Sequence, residues 1–304
     1  MSAAEDWRRK KGAFAALMAP GTLWLTAFFT LPLALVFAYS FSESDRFGDP
    51  TFVFTLENYE RAFEWVHLQI LWTSLWIAAL TTALCVAIGF PIAFGIAFAP
   101  ARWKTALLVL VILPFWTNLL VRTYGWISVL RTRGHINNAL EWAHGKAGVL
   151  LAAMGAPDAL GPFVPLELLY NEGAVIVALV HLHVPFLVLP LYATLERLDR
   201  SLLEASLDLG ASHWRTVRRI VVPLAMPGLA TGGLLVFILC LGNFVAPDLL
   251  GGADAMMIGN LIAQQFGAAR DWPFGAALSL LLLYATFLVL WLKAMGARHH
   301  GRAA

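Results

Sequence analysis

Few side chains able to do chemistry lie within the long apolar runs of this sequence. Thr117, Asn118 and Arg122 share one run, His181 and His183 another, and Asn243 and Asp248 flank the end of a third. Polar groups are costly in such surroundings and are functional candidates by default. His181 and His183 are two residues apart, on different helix faces, so they do not make the two-point metal site of an i, i+4 pair. Each reads either as a hydrogen-bonding residue between helices or as a pathway residue whose charge is adjustable near neutral pH. No HExxH, carboxylate dyad or base-paired nucleophile accompanies them, which argues against an enzyme. Gly145-Lys146-Ala147 comes nearest to a phosphate-binding loop, yet it lacks the upstream glycine and the hydroxyl residue that such a loop needs. No metal site and no bound cofactor are expected.

Asn118 and Arg122 are four residues apart, a spacing that shares one helix face. Arg122 has two readings. It snorkels to an interface or pairs with an acid there, or it is a fixed charge lining a path, where it would repel a polycation. Trp116, Tyr124 and Trp126 offer aromatic faces that suit an ammonium group. They equally suit an interfacial belt, the role preferred for Trp126, while Trp116 stays open. Asp248 reads either as a group that attracts a cation or as a contact for a loop of another protein.

The elements that must position these groups are membrane spans. The chain has 304 residues, 60% hydrophobic and 13% charged, with mean hydropathy +0.72. A soluble domain carries about 25% charge. A spanning helix needs roughly 20 apolar residues. Six segments qualify: Phe14–Phe41, Gln69–Phe98, Thr105–Leu130, Gly173–Leu195, Leu224–Pro247 and Trp272–Met295. Their length excludes a barrel, whose strands alternate over about 10 residues. With the N-terminus inside, 14 of the 21 Lys and Arg fall on the inner face, which nets +8 against −7 outside. The positive-inside rule thus puts both termini in the cytoplasm. The basic N-terminus with its long apolar run reads as an uncleaved first span. Cys85 and Cys240 fall within spans and read as packing residues. No mid-span Asp or Glu and no internal repeat is present, which argues against an ion-coupled carrier working alone. The expected organisation is a cytoplasmic N-terminus over 1–13, a peripheral first span over 14–41, a five-span core over 69–295 and a cytoplasmic tail over 296–304. The outer loops Ser42–Leu68 and Thr132–Glu172 read either as a lid or as a docking face.

The inner loop 196–223 is unusually structured for a connection. Ser201-Leu-Leu-Glu204 matches a capping box. Gly210 suits the left-handed residue that ends a helix. Ser212 suits the cap of a second short helix through Arg219, which carries Arg215, Arg218 and Arg219 near the anionic leaflet. Two short helices lying flat below the membrane are expected. They serve either as an interfacial anchor or as a docking surface.

Glu204-Ala205-Ser206, with Gly210, Ile220 and Pro223 at fixed spacing, resembles the EAA motif of ABC-importer permeases: Glu-Ala-Ala, three residues, Gly, nine residues, Ile-x-Leu-Pro. Ser206 stands for the second Ala and Val222 for the Leu. Leu113-Pro-Phe-Trp-Thr-Asn-Leu-Leu-Val-Arg-Thr-Tyr-Gly-Trp126, Pro185-Phe-Leu-Val-Leu-Pro190 and Gly242-Asn-Phe-Val-Ala-Pro-Asp-Leu-Leu-Gly-Gly252 are similar to the spermidine/putrescine branch of these permeases. The resemblance implies an all-α integral membrane protein of six transmembrane helices with the type I (MetI-like) permease fold, in a bacterial inner membrane. It implies that Glu204, Ala205, Ser206, Gly210, Ile220 and Pro223 couple to an ABC ATPase dimer at the cytoplasmic face, which binds the ATP. It further implies a second, related permease subunit, a periplasmic or extracellular solute-binding protein, a small-molecule substrate, polyamine or opine-like, and contact with membrane lipid; no nucleic acid is implied.

Overall fold

The computed structural model describes residues 11–45, 50–154, 160–253 and 255–300, which are helical nearly throughout. The N-terminal run up to Lys10, Arg46, Asp49, Asp158, Asp254 and Arg302 lie outside the described residues. In chain order, α1 (Lys11–Leu25) and α2 (Leu31–Tyr39) are joined by a π-turn at Thr26–Thr30. A two-residue hairpin of β1 (Glu43–Ser44) and β2 (Pro50–Thr51) follows, then α3 (Glu57–Ala62), α4 (Trp65–Ala97), α5 (Ala101–Ile112), α6 (Leu119–Leu130) and α7 (His135–Ala153). The rest are α8 (Glu172–Leu195), α9 (Arg200–Asp208), α10 (His213–Thr216), α11 (Val222–Leu241), α12 (Val245–Leu250), α13 (Ile258–Phe266) and α14 (Trp272–His300).

Five stretches are long and apolar enough to cross a membrane: Phe14–Tyr39, Trp65–Ala97, Glu172–Leu195, His213–Leu241 and Trp272–Trp291. The third expected span, Thr105–Leu130, needs correction. It is a bent pair, Ala101–Trp116 and Leu119–Leu151, whose limbs meet at 89°. The cause is local. Pro114 opens a 3-10 turn at Leu113–Trp116, after which Thr117 and Asn118 leave helical geometry at ψ 147° and 140°. Asn118 then caps α6, its Oδ1 accepting from the Leu120 N–H at 2.8 Å. Asn118 and Arg122 therefore do not share a helix face as two interior residues; the first is the cap of the helix that carries the second.

The described chain divides into two compact units, residues 1–68 with 261–304 and residues 69–260. In the first unit α14 packs on α2, α3 and β1. Asp271 organises that packing. Its carboxylate accepts from the Phe274 N–H at the start of α14 at 3.3 Å and from Ser44 Oγ at 3.1 Å. It also pairs with Arg61 of α3 at 2.9 Å, and the Arg61 guanidinium lies 4.3 Å from the Phe274 ring centroid.

The second unit is built on α8 against α11. In a bilayer no hydrophobic force draws helices together, so close approach at small residues matters. A Cβ at Gly232 would stand 3.0 Å from the Leu187 carbonyl oxygen, and one at Gly228 would meet Thr194. At the end nearest α9, Ala93 and Ala97 of α4, Val188, Leu191 and Leu195 of α8, and Val221 and Ala225 form one buried cluster. Leu107, Leu108 and Val111 of α5 and Leu203 of α9 pack against it. Cys85 and Cys240 are buried free thiols.

Candidate functional site

The loop between α8 and α11 is more ordered than a plain connection. Asp199, not Ser201, caps α9: its Oδ1 accepts from the Ser201 N–H at 2.9 Å. The expected Ser201–Glu204 box is thus displaced by an acid two residues earlier, which satisfies the orphan donor first. Glu204 consequently stays exposed, with no hydrogen bond or ion pair among the described residues. α9 ends at Gly210, φ 80°, with Ala211 N–H on the Ser206 carbonyl at 3.1 Å and Gly210 N–H on the Leu207 carbonyl at 2.9 Å. These two bonds are the Schellman pattern, and glycine supplies its left-handed residue without a Cβ penalty.

The second short helix is also corrected. Ser212 does cap α10, accepting from the Arg215 N–H at 3.4 Å. The helix then continues into the membrane through a π-turn, Val217–Val221, as one stretch His213–Leu241. Pro223 explains the π-turn, because proline lacks an N–H and its ring crowds the carbonyl four residues back. The Val222 N–H instead reaches the Val217 carbonyl, which widens the turn. Ser206 and Thr216 close the corner, Oγ to Oγ1 at 2.9 Å. Ala205 and Pro223 are exposed and Ile220 is half-buried. Leu202, Leu207 and Leu209 are exposed apolar side chains of this loop, Leu209 at 89%.

A second feature lies where α6, α8 and the end of α11 meet. A cavity of about 350 Å³ is lined by Phe115, Arg122, His183, Phe186, Asn243 and Phe244, with others. That volume is within the usual range for small-ligand sites. The break at Thr117 turns α6 so that Arg122 reaches this space. The Arg122 Nε is buried with no hydrogen-bond partner among the described residues, and the guanidinium carbon lies 5.5 Å from the Phe115 centroid. Phe115 meets Phe186 edge-on at 5.0 Å. His183 is 5% exposed; its Nδ1 lies 2.8 Å from the Leu179 carbonyl and 3.7 Å from Cys240 Sγ. A carbonyl only accepts, so Nδ1 carries a proton, and in the neutral ring Nε2 is then an acceptor. Asn243 Oδ1 accepts from the Ala246 N–H at 3.1 Å, which leaves its amide group to donate.

Of the residues singled out in the sequence, Arg122, His183 and Asn243 share this cavity, and Trp116, Thr117, Asn118, His181 and Asp248 do not line it. Thr117 Oγ1 turns back onto the Pro114 carbonyl at 2.6 Å, and Trp116 is exposed. His181 instead accepts from Trp126 Nε1 through Nδ1 at 3.1 Å, tying α6 to α8. Asp248 is exposed on α12. Sequence reasoning missed Phe115 and Phe186 as walls, although both lie within the motif stretches, and it missed the Ser206–Thr216 bond.

The sequence matches the family described as "Binding-protein-dependent transport system inner membrane component" over residues 1–299. It is 40% identical over 267 residues to the spermidine/putrescine transport system permease protein PotB of Salmonella typhimurium, covering 88% of each chain. The fold is similar to a bacterial ABC transporter that imports the acidic polysaccharide alginate, with TM-score 0.70, 16% identity and coverage of 97% of this chain and 98% of that one. It is also similar to the MetNI methionine ABC transporter, with TM-score 0.52, 17% identity and coverage of 77% and 96%. The chain belongs to the family of binding-protein-dependent transport system inner membrane components, multi-pass permeases of the inner membrane that are transport subunits and not enzymes.

Proposed function

We propose that this chain forms, with a second related permease subunit, the translocation path of an ATP-driven importer for a small amine-bearing solute of the spermidine/putrescine class. The observation that carries the proposal is the capped, exposed helix α9. Its glycine stop fixes the helix orientation, and its bare leucines and Glu204 offer a docking face without a partner among the described residues. Both termini and this loop lie in the cytoplasm, where a dimeric ABC ATPase binds ATP and takes the face of α9. Closure of the two ATPase copies pulls α9, and the fused α10–α11 helix carries that pull into the membrane. The core then alternates between inward- and outward-facing states around the cavity at Arg122, His183 and Asn243. A solute-binding protein delivers the cargo on the opposite face. The polyamine class is supported by the permeases to which this chain is 40% identical.

The test is ATP-driven uptake of radiolabelled spermidine or putrescine by proteoliposomes holding the permease pair, the ATPase and the binding protein. Uptake that needs both ATP and the binding protein supports the proposal; uptake that survives without ATP overturns it.

One observation favours a second cargo. The buried Arg122 Nε, unpaired among the described residues, suits a solute with an acidic group beside its amine, such as an opine or aminophosphonate, because a guanidinium binds carboxylate or phosphonate through paired donors. Arg122→Gln separates the two. For a polyamine it leaves uptake intact or raises it, whereas for an acidic amine it raises KM.

A further inference from the structure

We propose that the junction of α4 and α5 is a second arm of the drive, in which the Lys104–Glu196 ion pair carries movement of α9 into the broken third span. This rests on the importer function proposed above and adds to it a positioning pair outside the EAA-like motif.

Lys104 Nζ stands 2.6 and 2.7 Å from the two carboxylate oxygens of Glu196. Glu196 flanks the C-terminus of α8, three residues before the Asp199 cap of α9, so the pair grips the root of that helix. Lys104 lies in the first turn of α5 and its side chain is 15% exposed, against 39% for Glu196. A second tie lies on the α4 side of the same junction. Arg200, the first residue of α9, holds its guanidinium carbon 5.7 Å from the Phe98 ring centroid. Phe98 in turn lies 4.6 Å from Phe94 of α4. Both sides of the α4–α5 junction, Phe98 before it and Lys104 in the first turn of α5, are therefore held to the base of α9.

The remaining attachment of α5 is of a different kind. The helix has no fully buried residue, and Leu107, Leu108 and Val111 touch the cluster only as partly buried side chains. Apolar contact is non-directional and tolerates sliding. A charge-assisted bond to both oxygens fixes direction and distance. Beyond Ile112 the chain runs through Leu113–Trp116 to the break, carrying Phe115, and then Leu119 and Arg122, all of which line the cavity. A pull on Glu196 thus reaches the cavity wall along a rigid helix, and the extended residues Thr117 and Asn118 can absorb the change of angle, as hinge residues do. A partly exposed pair adds little to folding stability, so its loss is expected to appear in coupling and not in assembly.

The experiment uses the complete importer in proteoliposomes and measures solute moved per ATP hydrolysed, with the melting temperature of each complex beside it. Lys104→Glu and Glu196→Lys each lower the ratio about 5-fold or more, the low end of typical coupling energies, while the melting temperature and basal ATP hydrolysis hold. The double exchange Lys104→Glu/Glu196→Lys restores the ratio, and Lys104→Arg retains it. Should a reversal fail to assemble, Lys104→Met and Glu196→Gln are scored by the same ratio. Single variants with the wild-type ratio, or a double exchange as poor as the singles, overturn the proposal. ATP-independent uptake by the wild-type complex overturns the importer function itself and this proposal with it.

Discussion

Ser206 of α9 and Thr216 of α10 share a hydrogen bond across the Gly210 corner, Oγ to Oγ1 at 2.9 Å. The alanine usual in the EAA motif has no hydroxyl to make it. Thr216 is only 5% exposed and its hydroxyl has one further contact, 3.3 Å to the Ser212 carbonyl. Ser206→Ala is therefore expected to cost about 0.5–1.5 kcal/mol, the net worth of one such bond. Ser206→Ala/Thr216→Val should cost less than the sum of the two single changes, since each alone removes the same bond. Detergent-titrated unfolding of the four proteins measures the cycle; simple additivity would show that the bond contributes nothing.

Glu204 gives a cleaner experiment than its sequence context suggests. Since Asp199 holds the cap and Glu204 has no bond of its own among the described residues, Glu204→Ala should leave the helicity of the loop unchanged. Binding of the proposed ATPase should fall. Circular dichroism of the purified chain and ATPase pull-down read the two effects separately. A loss of helicity would mean that Glu204 supports the loop itself.

Asp199 ties the shape of the loop to pH. Its carboxyl is held below the ordinary carboxylate range, chiefly by the Ser201 backbone N–H and then by the Ser201 side chain. A depressed folded-state value means that the cap contributes fully above the unfolded value, about 3.9. The contribution is lost as pH falls through the lower folded value. The first turn of α9 should therefore stay capped throughout the neutral range and fray only in strong acid. Asp199→Asn keeps an acceptor oxygen and should remove this dependence. Comparing Ser201 amide exchange in the two proteins across pH isolates the cap; parallel profiles would rule out the carboxylate.

The differences between pattern and structure have physical causes at particular residues. The apolar runs marked every span because length and hydropathy decide insertion, and Pro114 stood in the sequence where the third crossing breaks. Its angle was not legible, because it depends on Thr117 and Asn118 going extended together. The Ser201–Glu204 spacing fitted a capping box, but capping is a competition, and Asp199 takes the Ser201 N–H that the Glu204 side chain would have needed. Ser212 to Arg219 read as a separate short helix, with the next span beginning only at Leu224, beyond Pro223. No Gly or Pro lies between Ser212 and Pro223, however, and a π-turn at Val217–Val221 let the helix run through. Arg122, His183 and Asn243 were visible as polar residues in apolar runs. That they converge, and that Lys104 meets Glu196 across 92 residues, depends on packing that no local pattern encodes.

Gly232 and Gly233 are neighbours in α11 with opposite expected tolerance. A Cβ at Gly232 would stand 3.0 Å from the Leu187 carbonyl oxygen and 3.1 Å from its Cα, both backbone atoms of α8. Neither can move without shifting a helix. A Cβ at Gly233 would meet Thr82 Cγ2 at 3.7 Å, an ordinary contact. Gly233→Ala should thus be neutral or stabilising by up to about 1 kcal/mol through helix propensity. Gly232→Ala should force α8 and α11 apart at a cost of about 1–3 kcal/mol, typical of overpacking. The loss is not recovered elsewhere, because lipid offers separated helices no hydrophobic penalty that would close them again. Both helices border the cavity through His183 and Leu239, so Gly232→Ala should also reduce uptake in the reconstituted importer while Gly233→Ala does not. Unfolding midpoints and initial uptake rates of the two variants test the pair. Equal effects at the two positions would show that the Gly232–Leu187 approach is not what holds α8 to α11.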